Sequence, residues 1–99
     1  MAKIPLGSVE RYSIKMQPIG ISNLRSTNWY IKVWARQEII VEKNDAVFID
    51  KDTYDIFVDT NKIGKGEIKM RLYVDIIDSD YNDGLRAQVV DYQTGDIVV

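Results

Sequence analysis

Hydrophobic and polar residues alternate with a period of two along most of this chain. The clearest case runs from Glu67 to Ile76, where every second residue is apolar and the residues between them are charged or aromatic. Successive side chains of a β-strand point to opposite faces, so this segment is predicted to be a strand with one buried face and one wet face. The residues predicted to be buried are Ile68, Met70, Leu72, Val74 and Ile76.

Other segments repeat the alternation or form short apolar runs. They are residues 11–17, 29–36, 38–42, 46–50, 54–59, 86–92 and 97–99. Turn-forming Gly, Asn and Asp lie between them, and neither Pro5 nor Pro18 interrupts a predicted strand. No long segment has the period of a helix. We therefore predict an all-β fold, an antiparallel sandwich (Ig-like) or a small barrel of about seven or eight strands, with little or no helix.

The length of 99 residues is that of a single β domain, which we predict to span residues 1–99. Residues 1–8 lack a strand pattern and are predicted to form an extended, free N-terminal arm. Residues 97–99 are apolar β-formers. They are predicted to pair within the chain's own sheet, after a turn at residues 93–96.

The chain contains no His and no Cys. Catalytic triads and Cys–His pairs are therefore excluded, and so is a structural zinc site. A pair of carboxylates remains as a catalytic option. In the strand predicted over 54–59, Tyr54, Ile56 and Val58 are expected to be buried, which leaves Asp55 and Asp59 together on the wet face. Such chemistry is uncommon in so small a domain, and we predict that the protein is not an enzyme and uses no cofactor.

The 13 Lys and Arg residues against 15 Asp and Glu give a net charge of −2, which argues against a nucleic-acid partner. Residues 1–50 hold seven basic and five acidic residues (+2), and residues 51–99 hold six and ten (−4). This asymmetry favours either head-to-tail self-association or ordinary surface solubility. No signal peptide or membrane-spanning run is recognisable. We expect no membrane partner and a cytoplasmic location, or a virion location if the protein is phage-encoded.

One predicted strand places an aromatic residue among cations on its polar face. The alternation over 29–36 puts Trp34 on the same side as Tyr30, Lys32 and Arg36. An exposed Trp between two cations is typical of an interface anchor or a ligand-stacking platform. If both faces of the strand are covered, Trp34 instead belongs to the core. A stacking platform would also draw on the other large aromatics, Trp29, Tyr73, Tyr81 and Tyr92.

The loop at residues 78–84 is the one candidate metal site. Asp78, Asp80, Asn82 and Asp83 offer oxygen ligands at close spacing, as Ca²⁺ requires. The spacing departs from an EF-hand, because Gly84 comes one position late and no helix flanks the loop. The other interpretation is a hairpin loop whose side chains bond their own backbone. We assign no metal here and keep these four residues as a weak candidate.

The second half of the chain resembles small all-β proteins encoded in prophage-like structural gene clusters of gut Bacteroides-type bacteria. The likeness covers about residues 48–97 and rests on turn and strand signatures at 54–60, 63–68, 74–80, 83–86 and 92–97. Ile77 stands where the family pattern has Pro. The resemblance implies a virion or tail-associated structural role and carries over no active residues.

These observations favour a non-enzymatic structural or assembly protein that acts through protein–protein contacts. Its partners would be other copies of itself or neighbouring structural proteins, and its contacts would use sheet edges and the face of Trp34, Tyr30, Lys32 and Arg36. The alternative is a carbohydrate-binding β-sandwich module in which Trp and Tyr rings stack on sugars, assisted by calcium at the acidic loop.

Overall fold

A computed structural model describes residues 2–99 and arranges them as two packed β-sheets. The strands of this part of the chain are β1 (Lys3–Ile4), β2 (Val9–Lys15), β3 (Trp29–Trp34), β4 (Glu38–Glu42), β5 (Val47–Asp50), β6 (Thr53–Asp59), β7 (Gly66–Ile77) and β8 (Leu85–Val98). The large sheet has the order β1-β8-β7-β3-β4, and the small sheet has the order β2-β6-β5. Helical structure within residues 2–99 is limited to one 3-10 turn (Lys43–Asp45) and one α-helical turn, α1 (Thr60–Ile63). The all-β prediction is confirmed.

The core lies between the inner faces of the two sheets. On β7 the five residues predicted to be buried are all at most 4% exposed, and on β6 Tyr54, Ile56 and Val58 are buried as well. In the centre, Ile31 of β3 is paired with Leu72 of β7, and neither has any exposed surface. The period-two pattern therefore assigned the inner face of these strands correctly.

Aromatic side chains connect the two sheets. The ring of Trp29 on β3 meets the edge of Tyr54 on β6 with 5.1 Å between ring centres, and its Nε1 donates to the Leu24 carbonyl at 2.9 Å. Tyr12 of β2 donates its hydroxyl to Asp96 of β8 at 2.7 Å. Burial and this bond to a carboxylate raise the pKa of Tyr12, so the hydroxyl keeps its proton and the contact persists.

The ends of the chain pair with each other. Lys3 and Ile4 lie parallel to Ile97 and Val98, and the Ile4 side chain is buried. The N-terminal segment is thus extended but not free, which corrects the prediction of a free arm, because burial of Ile4 and a backbone ladder hold it to β8. Met1 lies outside the described residues.

The C-terminal residues pair within their own sheet, as predicted, but no turn precedes them. β8 is one continuous strand, and its ladder with β7 shifts register between Glu67 and Lys69. Gly95, with φ of 73°, supplies the left-handed backbone within the irregular stretch. The sequence predicts a turn at 93–96, but this segment lies within one strand. It coincides with the irregular part of the β7–β8 ladder.

Asp55 is buried rather than wet, which corrects the predicted environment of this residue. It lies on the outer side of the small sheet, where it accepts hydrogen bonds from Arg11 Nε and from the Ser13 hydroxyl, both at 2.6 Å. These two bonds lower the pKa of Asp55. Alternation places a residue on a face, but only the register with β2 sets Arg11 and Ser13 beside it.

None of the helical turns among residues 2–99 is long and apolar enough to cross a membrane.

The depressed pKa of Asp55 predicts a pH dependence of folding stability. Its contribution is fully present above the unfolded-state pKa of about 3.9 and is lost as the pH falls through the lower folded-state value. In urea titrations, Asp55→Asn should therefore lose less stability than the wild type between about pH 6 and about pH 3. Asp45→Asn, at an exposed carboxylate, is the control. If wild type and Asp55→Asn decline in parallel, the ion pair does not stabilise the fold.

The packing of β7 predicts a second stability difference. Leu72→Ala should lower the free energy of unfolding by about 3 kcal/mol, because Leu72 is fully buried and its truncation opens a cavity in the core. Ile21→Ala, at an aliphatic side chain that is 75% exposed, is the matched control and should change stability by no more than about 0.5 kcal/mol. Urea denaturation followed by Trp fluorescence measures both values.

Candidate interaction surface

The outer face of the large sheet brings together the aromatic and basic residues that the alternation placed on one side of β3. Tyr30, Lys32 and Trp34 all lie on this face, and Arg36 is the second residue after the end of the strand. The antiparallel register with β7 sets Tyr73 opposite Tyr30, Arg71 opposite Lys32, and Lys69 opposite Trp34. Both strands are interior to the sheet, so these side chains rest on a rigid support.

Cations and aromatic rings alternate on this face. Tyr30 and Tyr73 stack with 4.9 Å between ring centres and an angle of 14°. The Lys32 ammonium lies 5.3 Å from the centre of the Tyr73 ring, and the Arg71 guanidinium lies 5.8 Å from the centre of the Trp34 ring. Both separations are within the range of cation–π attraction. We call Tyr30, Tyr73 and Trp34 the aromatic ridge.

A salt bridge holds Arg71 in place beside the aromatic ridge. Arg71 Nε donates to Asp91 Oδ1 at 2.6 Å, and its Nη2 donates to Oδ2 at 3.4 Å. These hydrogen bonds raise the pKa of Arg71 and lower that of Asp91, so both groups stay charged. The pair is well exposed and adds little to stability. Its consequence is geometric, because it holds the guanidinium beside the Trp34 ring.

Shallow hollows flank the aromatic ridge. One, of about 250 Å³, lies beside Trp34 and is lined by Lys32, Arg36 and Arg71 together with Glu38. Another, of about 320 Å³, lies on the far side of the two tyrosines; Glu42, Asp75 and Lys43 supply its charged lining. The first hollow is therefore predominantly basic and the second is predominantly acidic.

Trp34 is half-buried, neither in the core nor fully exposed. The other aromatics considered for a stacking platform lie elsewhere. Trp29 is buried between the sheets, Tyr81 stands on the 78–84 loop, and Tyr92 donates its hydroxyl to the Lys15 carbonyl at 2.9 Å. The aromatic residues gathered on this face are thus the three of the ridge.

Arg71 and Asp91 complete this surface but were not among the residues singled out from the sequence, and Tyr73 was considered only as one of several aromatics for a stacking platform. Alternation does place Arg71 and Tyr73 on the wet face of β7. Their contact with Tyr30 and Lys32 depends on the pairing of two strands about forty residues apart in the sequence. Local periodicity does not predict the register of such a pairing.

Two of the three carboxylates of the acidic loop accept hydrogen bonds from within the protein. Asp78 accepts from Arg86 Nε at 3.1 Å and from the Asp80 amide at 3.1 Å, and Asp83 accepts from the Leu85 amide at 3.0 Å. No group of three or more carboxylates positioned to hold a metal ion occurs within residues 2–99. Of the four candidate ligands Asp78, Asp80, Asn82 and Asp83, the side chains of Asp78 and Asp83 are thus engaged in hydrogen bonds within the hairpin loop and to Arg86.

The carboxylate pair with same-face spacing is engaged as well. Asp55 is held by Arg11 and Ser13, and Asp59 accepts from the Asn61 amide at 3.0 Å at the start of α1. Both side chains therefore have structural partners in the fold.

Comparison of the chain with protein-family models, with curated proteins and with solved structures gives no match.

The bonding of the acidic loop predicts that calcium has little effect on the protein. A ligand that binds only the folded state raises stability in proportion to the logarithm of its concentration over its Kd. Millimolar CaCl₂ should therefore leave the melting temperature of the protein at its value in EDTA. A rise in melting temperature that disappears in Asp80→Asn would show that the loop binds the ion after all.

Proposed function

We propose that this protein is a non-enzymatic structural or assembly subunit that binds a partner protein through the outer face of its large sheet. The observation that carries the proposal is the partly exposed aromatic ridge with Arg71 beside it, on two interior strands. Trp, Tyr and Arg are the residues most enriched among those that dominate binding energy at protein interfaces. Here they are preorganised by stacking and by the Arg71–Asp91 salt bridge, so little side-chain entropy is lost on binding.

The charges of the hollows define the partner's chemistry. The basic hollow beside Trp34 suits an acidic side chain of the partner, and the acidic hollow beside Tyr30 suits a basic one. A partner surface that carries an acidic and a basic side chain, far enough apart to reach the two sides of the ridge, would complement both hollows. The resemblance of residues 48–97 to proteins of prophage-like structural gene clusters suggests that the partner is a neighbouring structural protein and that the assembled particle is a virion or tail.

A carbohydrate-binding module is the alternative. Sugar stacking needs a ring face that is open to the ligand, whereas Lys32 lies against Tyr73 and Arg71 lies against Trp34. The acidic loop would bind calcium in that alternative, but its Asp78 and Asp83 carboxylates already accept hydrogen bonds from the loop backbone and from Arg86. We therefore favour the protein partner.

The test is the effect of Trp34→Ala on binding to the products of the genes that flank this one, measured by calorimetry. Loss of a central interface Trp should weaken binding by at least about 30-fold, which corresponds to about 2 kcal/mol. Tyr81→Ala removes an exposed aromatic from the hairpin loop instead and should leave the affinity unchanged.

Two results would contradict this proposal. One is that no flanking gene product binds the wild-type protein; the other is that Trp34→Ala and Tyr81→Ala bind as well as the wild type. Glycan-array binding that depends on Trp34 would establish the carbohydrate alternative instead.

A further inference from the structure

Four strands border the two sheets and present unpaired backbone groups. In the small sheet these are β2 and β5; in the large sheet they are β4 and, past the short β1, most of β8. An unpaired edge is a template for another strand, and proteins usually protect such edges with charge, brevity or irregularity.

Three of the four edges carry such protection. β4 has Glu38 and Glu42 at its two ends. β5 has four residues, and its register with β6 is irregular. β2 exposes Arg11 and Lys15.

The fourth edge is open over residues 85–91 of β8. β1 covers Ile97 and Val98 alone. The Asp78 amide donates to the Gly84 carbonyl at 2.8 Å. Asp78 and Gly84 are thus a hydrogen-bonded pair at the end of the β7–β8 ladder, and this shows which of the following pairs are hydrogen-bonded. Because hydrogen-bonded and non-bonded pairs alternate in an antiparallel ladder, the even-numbered residues of β8 direct their backbone groups to β7. Those of Ala87, Val89 and Asp91 point outward, and they have no hydrogen-bond partner within residues 2–99.

This open stretch is less protected than the other three edges. It contains no Pro, Gly or Lys, and its ladder with β7 is regular from Leu85 to Gln93. Its two charged residues, Arg86 and Asp91, are held in salt bridges to Asp78 and Arg71 of the same chain. Its outward side chains are mainly apolar: Leu85 and Val89 are 39% and 46% exposed, and Ile77 beside Leu85 is 44% exposed. The edge of β8 is thus long, regular and mainly apolar, and it is the least protected of the four.

We propose that a second copy of this chain covers it, with the two β8 strands antiparallel about a two-fold axis at Gln88. In this register Ala87 of each copy faces Val89 of the other, and Leu85 faces Asp91, so no like charges are opposed. The outward backbone groups of Ala87 and Val89 then bond across the axis. The same pairing at β4 would set Glu38 against Glu42, which disfavours that edge. The preference for β8 over β4 thus rests on charge.

The dimer would join two five-stranded sheets into one of ten strands. The axis is perpendicular to the sheet, so both aromatic ridges would lie on the same face. Two linked sites on one face raise the apparent affinity for any partner that itself presents repeated sites. The dimer goes beyond the proposed partner contact and does not depend on it, since the β8 edge and the aromatic ridge are separate surfaces.

Cysteine cross-linking tests the register directly, because the chain has no native Cys. At the axis Gln88 would meet its own copy in a non-bonded pair with Cα atoms about 4.5 Å apart, within the range that a disulfide spans. Gln88→Cys should therefore form a covalent dimer under mild oxidation. Ile40→Cys, at an exposed position in the middle of β4, is the control and should remain monomeric. Failure of Gln88→Cys to cross-link, or equal cross-linking of both variants, would overturn the proposal.

Light scattering after size exclusion tests the same edge without cross-linking. At protein concentrations up to about 1 mM, the wild type should approach twice the chain mass of 11.4 kDa. Ala87→Lys with Val89→Lys places cations opposite one another and should return the mass to that of one chain. Val47→Lys with Ile49→Lys, which adds the same charge to the β5 edge, should remain dimeric.

Circular dichroism would confirm that each double variant is folded, and Trp34→Ala should dimerise as the wild type does. A wild type that stays monomeric throughout the concentration range overturns the dimer, and so does a folded Ala87→Lys/Val89→Lys variant that still dimerises. Neither result bears on the aromatic ridge, whose test is the calorimetry of Trp34→Ala.

Discussion

The antiparallel register between β3 and β7 is the constraint on which both the core and the surface of this protein depend. It sets Ile31 against Leu72 on the inner face and Tyr30 against Tyr73 on the outer face. Because side chains alternate along a strand, a slip of one residue would send the apolar set of either strand to the wrong side. Burial of the inner residues therefore fixes the outer ones as well, and the aromatic ridge follows from the same hydrophobic burial that stabilises the fold.

Three Arg–Asp salt bridges fix the position of charged side chains in this fold. Each of the three salt bridges within residues 2–99 joins an Arg to an Asp: Arg11 to Asp55, Arg71 to Asp91, and Arg86 to Asp78. The first anchors β2 to β6, the second orients a guanidinium beside Trp34, and the third closes the β7–β8 hairpin. Together with the absence of His and Cys from the sequence, this use of the carboxylates fits a protein whose proposed role is assembly. The proposed partner surface and the open edge of β8 would then supply two different contacts from one small domain.

Much of the fold could be predicted from the sequence, and the failures have identifiable causes. The buried residues of β7 and β6 were predicted correctly, because period-two alternation is local and the hydrophobic effect acts on each residue where it stands. The predicted exposure of Asp55 was wrong, since its burial depends on Arg11 and Ser13, which are more than forty residues away in the sequence. Two further predictions were wrong because they also depend on distant strands. No turn forms at 93–96, because β8 continues alongside β7. The N-terminal arm is not free, because Ile4 pairs with β8.

Alternation along the chain thus determines which side of each strand faces the core, including the common face of Tyr30, Lys32 and Trp34. The choice of neighbouring strand is decided by long-range packing. β4 and β5 adjoin in the sequence yet belong to different sheets, and β1 pairs with the strand at the opposite end of the chain. That choice brings Arg71, Tyr73 and Asp91 to the aromatic ridge and leaves one edge of β8 open. Hydrogen bonds between strands are the same for almost any pair of sequences, so partners are selected by how well whole faces pack together.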